Sequence, residues 1–260
     1  MNAIRSGLFF VLFVLGIVAY ATIIVTLWPI TTLARRRTLA CAWAQYNRRI
    51  LALCCGLRDR FIGQERLPPP PYVILCKHQS AWETVTLHAQ FPIFVLVLKK
   101  SLLYIPFFGW ALKATGQIVI DRQREIEALR TLQEESKRQC AEGTSILIFP
   151  EGTRVAAGEV GHYHSGGIIM AMAAGVPIVP VAHNAGTFWA RRSFVKKPGE
   201  IQVRIGQPIP TQGLGKAARK QLLQQAQSSI EEMMAEIDAD CASPQSPPSA
   251  TPAAGQTLAK

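Results

Sequence analysis

The chain has 260 residues, 49% of them hydrophobic, with a mean hydropathy of +0.17 and a formal charge of +11. That is apolar for a wholly water-soluble protein, and the length suits one large domain or two small ones. The charge favours anionic partners, yet Arg5, Arg35, Arg36, Arg37, Arg48, Arg49, Arg58 and Arg60 against Asp59 put +7 of the +11 in residues 1–60, beside the most apolar segment; with no aromatic-basic interleaving elsewhere, no nucleic-acid partner is expected.

Residues 8–28, "LFFVLFVLGIVAYATIIVTLW", carry no charge, and at ~1.5 Å per residue a helix of this length matches a hydrocarbon core of roughly 30 Å. They predict a membrane helix. Only Arg5 precedes the run and no small-x-small site follows it, which argues against a cleaved leader. The Arg35, Arg36, Arg37 cluster behind it predicts a cytoplasmic downstream chain by the positive-inside rule. Leu39, Trp43, Tyr46, Ile50, Leu53 and Leu57 then recur at spacings of four and three, the stripe of a second helix. That helix could lie in the interface with Arg48 and Arg49 at headgroups, pack on the first so that the pair dips into one leaflet, or cover a soluble core. Residues 1–62 thus read as an N-terminal membrane-associated helical segment.

Past the prolines at 68–71, short apolar runs alternate with amphipathic stretches. Strands are predicted at 72–76, 93–98, 117–120, 145–149, 176–181 and 201–205, and helices around 126–132, 168–174 and 219–237. Alternation of this kind predicts an α/β domain over residues 63–242. Residues 243–260, rich in Pro, Ser and Ala, cannot build a core and read as a disordered tail. The six cysteines, Cys41, Cys54, Cys55, Cys76, Cys140 and Cys241, show no CxxC spacing and read as reduced, structural residues.

Four blocks carry chemistry. In "YVILCKHQSAWETVTLHAQF" an apolar strand ends in His78, and Ser80 to Glu83 has the S-x-x-E form of a capping box. Glu83 could simply cap its helix; if His78 precedes the helix, the carboxylate could also bind one imidazole nitrogen and leave the other to deprotonate an alcohol. "IFPEGTR" sets Glu151, Gly152, Thr153 and Arg154 behind a second strand, where a glycine lets amides approach an anion and an arginine offers a planar fork of donors. It lacks P-loop spacing. "LKKSLLYIPFFGWALKATGQIVIDR" contains Lys99 and Lys100 and ends in Asp121-Arg122, and "GVPIVPVAHN" puts Pro177 and Pro180 in an apolar strand, which suits an edge or the wall of a site.

In this order the four blocks resemble the 1-acyl-sn-glycerol-3-phosphate (lysophosphatidic acid) acyltransferases of bacteria. The resemblance covers about half the chain and is specific because all four blocks coincide. It implies a mixed sheet flanked by helices, the glycerolipid acyltransferase fold, behind an N-terminal membrane helix or helix pair. It also implies transfer of a fatty acyl group from a thioester to the sn-2 hydroxyl of lysophosphatidic acid, with phosphatidic acid as product and no acyl-enzyme. His78 then matches the general base and Glu83 its acidic partner, with Lys99, Arg122, Glu151, Gly152, Thr153 and Arg154 around the acceptor phosphate. The implied co-substrate is an acyl-carrier protein or acyl-coenzyme A, with no cofactor and no metal; the implied location is the bacterial inner membrane, catalytic domain on the cytoplasmic side.

Two departures stand out. Glu83 replaces the family's aspartate, and Tyr163-His164-Ser165-Gly166 stands where relatives carry an aromatic residue followed by lysine. His162 and His164 have no carboxylate or cysteine at ligand spacing, and His88 reads as a packing residue. The nearest alternative is an acyltransferase of the same superfamily with another lysophospholipid or an aminolipid as acceptor. A serine hydrolase is disfavoured because neither Ser80 nor Ser165 sits in G-x-S-x-G, and a lipid-binding protein without catalysis would have no use for a base at His78. Amides at the start of the helix after His78 are the expected oxyanion donors.

Overall fold

A computed structural model describes residues 1–91, 93–121 and 123–242. The expected tail and Arg122 lie outside them. All six expected strands pair, joined by a seventh. They are β1 (Leu57–Ile62), β2 (Val73–Cys76), β3 (Phe94–Lys99), β4 (Ile118–Ile120), β5 (Ser145–Ile148), β6 (Ile178–His183) and β7 (Gly199–Ile205), in the order β1-β7-β6-β2-β5-β3-β4. Only the β6–β7 pairing is antiparallel. This is the expected mixed sheet flanked by helices.

Both faces of the sheet are covered, so the strands read as unbroken apolar runs and period two sorts their side chains. Ile74, Cys76, Leu96, Leu98, Leu147 and Val179 face a core shared with helix α1 (Asn2–Thr26), the π-helical turn Leu51–Cys55 behind helix α2 (Leu33–Ile50), and the short helix α3 (Trp82–Thr86). Val73, Leu75, Val95, Ile146 and Ile178 face the opposite core. There helices α5 (Glu125–Ala141), α6 (Gly166–Ala174) and α8 (Arg219–Ala242) pack. Helix α4 (Phe108–Ala114) lies against α1, and α7 (Ala185–Phe188) follows β6.

Two expectations are corrected. The second helical stripe stops at Cys55, where Gly56 turns left-handed with φ +66°. Leu57 begins β1, which pairs with β7 and so belongs to the sheet and not to an N-terminal helical segment ending at 62. Arg58, Asp59 and Arg60 hid this edge strand, because their charges mask the apolar alternation. Secondly, Pro180 lies in an interior strand: Ile178 pairs with Ile209 while Val181 pairs with Ile205, so the facing chain holds one extra residue, and the missing donor of Pro180 falls opposite that bulge.

The arginine cluster is partly drawn into the fold. Arg35 is exposed, but Arg36 and Arg37 are buried. Arg36 donates to Ala114 O at 2.7 Å. Arg37 donates to Thr115 O (3.1 Å), Thr144 Oγ1 (3.0 Å) and Gln139 Oε1 (2.9 Å). Both saturate carbonyls at the C-terminus of α4, where cations oppose the helix dipole. Arg48 is likewise engaged, with Asp59 at 2.9 Å. Arg5, Arg35, Arg49, Arg58 and Arg60 stay exposed.

Arg37→Ala would leave three buried groups unsatisfied. It should cost about 3 kcal/mol and lower the melting temperature by roughly 6–12 °C, whereas Arg35→Ala should shift it by less than about 2 °C. Thermal unfolding in detergent compares the two; equal shifts would contradict this burial.

Candidate active site

Five parallel strands end on one edge of the sheet, the usual ligand edge of α/β proteins. Behind β2 the chain turns through Lys77 and His78 into α3. Glu83, in the first turn of α3, has a fully buried side chain, and its Oε1 collects three donors: His78 Nδ1 at 2.8 Å, Gln79 N–H at 2.9 Å and Ser80 N–H at 2.8 Å. Cap and histidine partner, the two readings of Glu83, are thus one carboxylate oxygen. The Gln79 and Ser80 amides are consumed in holding Glu83, which removes them as the expected oxyanion donors.

Burial alone would push the Glu83 carboxyl up, but His183, the His78 hydrogen bond and the Ser80 amide outweigh it and hold it below the ordinary carboxylate value. As a carboxylate, Oε1 accepts the Nδ1 proton of His78, so Nε2 is left with its lone pair. The His78 ring stacks on Phe149, centroids 3.9 Å apart. His183 lies behind, fully buried, with Nε2 4.0 Å from Glu83 Oε2. Ala185 N–H donates to its Nδ1 at 3.2 Å and its Nε2–H donates to Lys77 O at 2.8 Å, which defines a neutral tautomer. Burial pushes its pKa down against the pull of Glu83.

The turn after β5 is locked to this loop. Glu151, expected with the phosphate-binding residues, turns its carboxylate away from the cavity. Oε2 accepts the His78 N–H at 2.7 Å and Oε1 pairs with Lys77 Nζ at 2.9 Å. Burial raises its pKa, with Lys77 opposing. Lys77, 1% exposed in its side chain, also meets Glu231 Oε1 of α8 at 2.8 Å, and Tyr163 OH donates to that same oxygen at 2.8 Å. Val155 N–H donates to His78 O at 2.8 Å. Gly152 holds φ +66° in the turn, a conformation that favours glycine.

One cavity of about 490 Å³ opens on this edge. Its mouth holds His78, Lys99, Gly152, Thr153 and Arg154, five of the eight expected site residues; Glu83 and Glu151 lie behind it, and Arg122 is outside the described residues. Arg191 and Arg192 join them; the sequence offered only an adjacent arginine pair as a clue. Inward, the cavity runs past Leu96, Leu98, Phe108 and Leu112 to Ile17, Tyr20, Ala21 and Ile24 of α1 and Trp43 of α2. His88, also on its wall, stacks on Phe94 at 3.9 Å, and burial lowers its pKa to about 4. Lys77 and His183 went unnoticed as site residues, although a lysine closing an apolar strand was a visible oddity.

The family model described as Acyltransferase matches residues 58–184. The chain is 40% identical to the 1-acyl-sn-glycerol-3-phosphate acyltransferase of Pseudomonas aeruginosa, over 91% of this chain and 93% of that one. It is 33% identical to the Saccharomyces cerevisiae protein of the same name, over 64% of this chain and 56% of that one. The crystal structure of the 1-acyl-sn-glycerophosphate acyltransferase of Thermotoga maritima shares its fold, with a TM-score of 0.76 over 92% of this chain and 96% of that one, at 19% identity. With all four sequence blocks present and this coverage, the chain belongs to the 1-acyl-sn-glycerol-3-phosphate acyltransferase family.

Proposed function

We infer that the protein transfers a fatty acyl group from an acyl thioester to the sn-2 hydroxyl of 1-acyl-sn-glycerol-3-phosphate, giving phosphatidic acid for phospholipid synthesis. The observation that carries this is His78, held by Glu83 through Nδ1 at 2.8 Å, at the cationic mouth of an otherwise apolar cavity. His78 Nε2 takes the hydroxyl proton as the alcohol oxygen bonds to the thioester carbon. The tetrahedral intermediate then expels the thiolate, which recovers that proton from the imidazolium. Glu83 stabilises the transient cation, as carboxylate partners of histidine do.

Arg154 and Lys99, with Thr153 and the backbone at Gly152, hold the acceptor phosphate; Arg122 is proposed with them from its motif. Fixing that phosphate places the hydroxyl at His78, and positioning of this kind lowers a bimolecular barrier substantially. The donor is acyl-carrier protein or acyl-coenzyme A, and its chain lies along the apolar cavity.

The protein sits in the inner membrane, its catalytic domain on the cytoplasmic side, with α1 lying in one leaflet. Support for this pose comes from both faces of α1. The helix is uncharged from Ser6 onward and long enough to span a bilayer. Yet it is docked on the domain along its whole length: Ser6 Oγ accepts Lys196 N–H at 2.9 Å, Leu12 O accepts Tyr46 OH at 2.7 Å, and Ile24 is buried. A Cβ at Gly16 would run into the Tyr46 ring. Ile4, Leu8, Val11, Leu15 and Val18 form the exposed stripe that hydrocarbon would cover.

In sealed vesicles an impermeant thiol reagent should reach an Asn2→Cys variant and the native, exposed Cys241 from the same side; labelling from opposite sides would mean that α1 crosses the bilayer. In mixed micelles, wild-type protein should acylate lysophosphatidic acid and not lysophosphatidylcholine. His78→Ala should lower kcat by about 10³-fold or more and Glu83→Gln by roughly 10²–10⁴-fold. Transfer to the choline lipid would redirect the acceptor assignment, and near-normal kcat in either variant would sink the dyad.

A further inference from the structure

The mouth of the cavity carries more cationic charge than its recognised motifs explain. Lys99, Arg154, Arg191 and Arg192 all line it, and among the described residues none forms a salt bridge with a carboxylate. Like charges gathered around one opening raise the local positive potential and favour an anion between them. Arg191 and Arg192 lie outside the four sequence blocks, in the segment between α7 and β7.

That segment is fastened at several points. Trp189 Nε1–H donates to Ser193 O at 3.2 Å, Lys197 N–H to Phe188 O at 2.8 Å, and Lys196 N–H to Ser6 Oγ on α1 at 2.9 Å. Lys196 Nζ sits over the rings of Phe9 and Trp189 at 4.9 and 4.6 Å. Within this frame Arg192 holds φ +62°, a left-handed conformation that strains a non-glycine residue. Arg191 donates from Nη1 to Arg154 O at 2.8 Å, which couples the segment to the FPEGTR turn. Two arginines are thus presented at the opening by a braced loop, one in a strained backbone conformation.

We propose that Arg191 and Arg192 form a second phosphate-binding element of the cavity mouth, working with Arg154. The inference rests on the acyl-transfer reading, because both substrates of that reaction carry phosphate. One source is the monoester of the lysophosphatidic acid acceptor; the other is the phosphate at the end of the donor's pantetheine arm, a phosphodiester in acyl-carrier protein and a diphosphate in acyl-coenzyme A. Guanidinium forks suit both, and the shared chemistry is a phosphate held by charge-assisted hydrogen bonds.

The test is steady-state kinetics on full-length protein in mixed micelles, with lysophosphatidic acid and acyl-coenzyme A varied in turn, for Arg191→Glu, Arg192→Glu and the corresponding lysine variants. Charge reversal should raise one of the two KM values by about tenfold or more while kcat changes less than about threefold, and lysine should restore most of the loss. A rise in the acceptor KM assigns the element to the lipid phosphate; a rise in the acyl-coenzyme A KM, with S-acyl-pantetheine unaffected, assigns it to the donor. Unchanged KM values, or a fall in kcat alone, would overturn the proposal. Arg192→Glu leaves the Arg191–Arg154 contact in place, so it remains informative if Arg191→Glu misfolds. Wild-type protein that does not acylate lysophosphatidic acid at all would instead defeat the underlying functional reading.

Discussion

Everything at the active edge depends on one buried oxygen, Oε1 of Glu83. Three donors converge on it within 2.9 Å: the imidazole that it orients and the next two backbone amides. Burying a carboxylate is costly unless its lone pairs are filled. Here the backbone between β2 and α3 curls around the charge to fill those of Oε1, while the buried Oε2 has no hydrogen-bond partner among the described residues and faces His183 Nε2 at 4.0 Å. That curl puts His78 before the helix, where a residue five positions away can meet Glu83; on a regular helix the two side chains would diverge. Fold and chemistry therefore share a cause, since the bonds that justify burying Glu83 also set the tautomer of His78.

A second buried carboxylate performs the same service from the other side. Glu151 grips the His78 amide and Lys77, and Lys77 reaches Glu231 on α8. Removing one partner of such a pair leaves an uncompensated charge in the interior, so the network resists piecemeal change. Its geometric effect is to weld the FPEGTR turn to the β2 loop. His78 and the cationic groups around Arg154 thereby keep a constant separation, as acyl transfer to the hydroxyl of an acceptor anchored by its phosphate would need.

Much of this architecture could be read before any coordinates. Six strands followed from apolar runs bounded by turns, because a sheet covered on both faces needs uninterrupted apolar residues. His78 and Glu83 could be paired because the strand-turn-helix pattern supplied the geometry. The failures have physical reasons. Edge strand β1 needs only half its residues apolar, so its arginines outweighed Leu57 and Phe61. For Pro180 an edge or the wall of a site were both open readings, because a bulge in a distant segment cannot be foreseen locally. The burial of Arg36 and Arg37 was not legible because their carbonyl partners lie some 78 residues away. Glu151 looked like a phosphate neighbour because motif membership says nothing of side-chain direction; an anion beside a phosphate would have repelled it.

The apolar cavity joins the membrane-facing helix to the catalytic edge, with Ile17 to Ile24 of α1 at one end and His78 at the other. A helix docked along its length is thus also a wall of the site, and lipid chemistry takes place beside the surface that meets lipid. The account stands or falls on the state of His78. The most direct measurement is the ¹⁵N NMR spectrum of its imidazole in the detergent-solubilised enzyme, assigned by comparison with His78→Gln, at a pH where the ring is neutral. A protonated Nδ1 and an unprotonated Nε2 are predicted, with the ratio collapsing toward a mixture in Glu83→Gln. A wild-type ring protonated at Nε2 would contradict the account, because Glu83 would then not be holding the proton that frees the base.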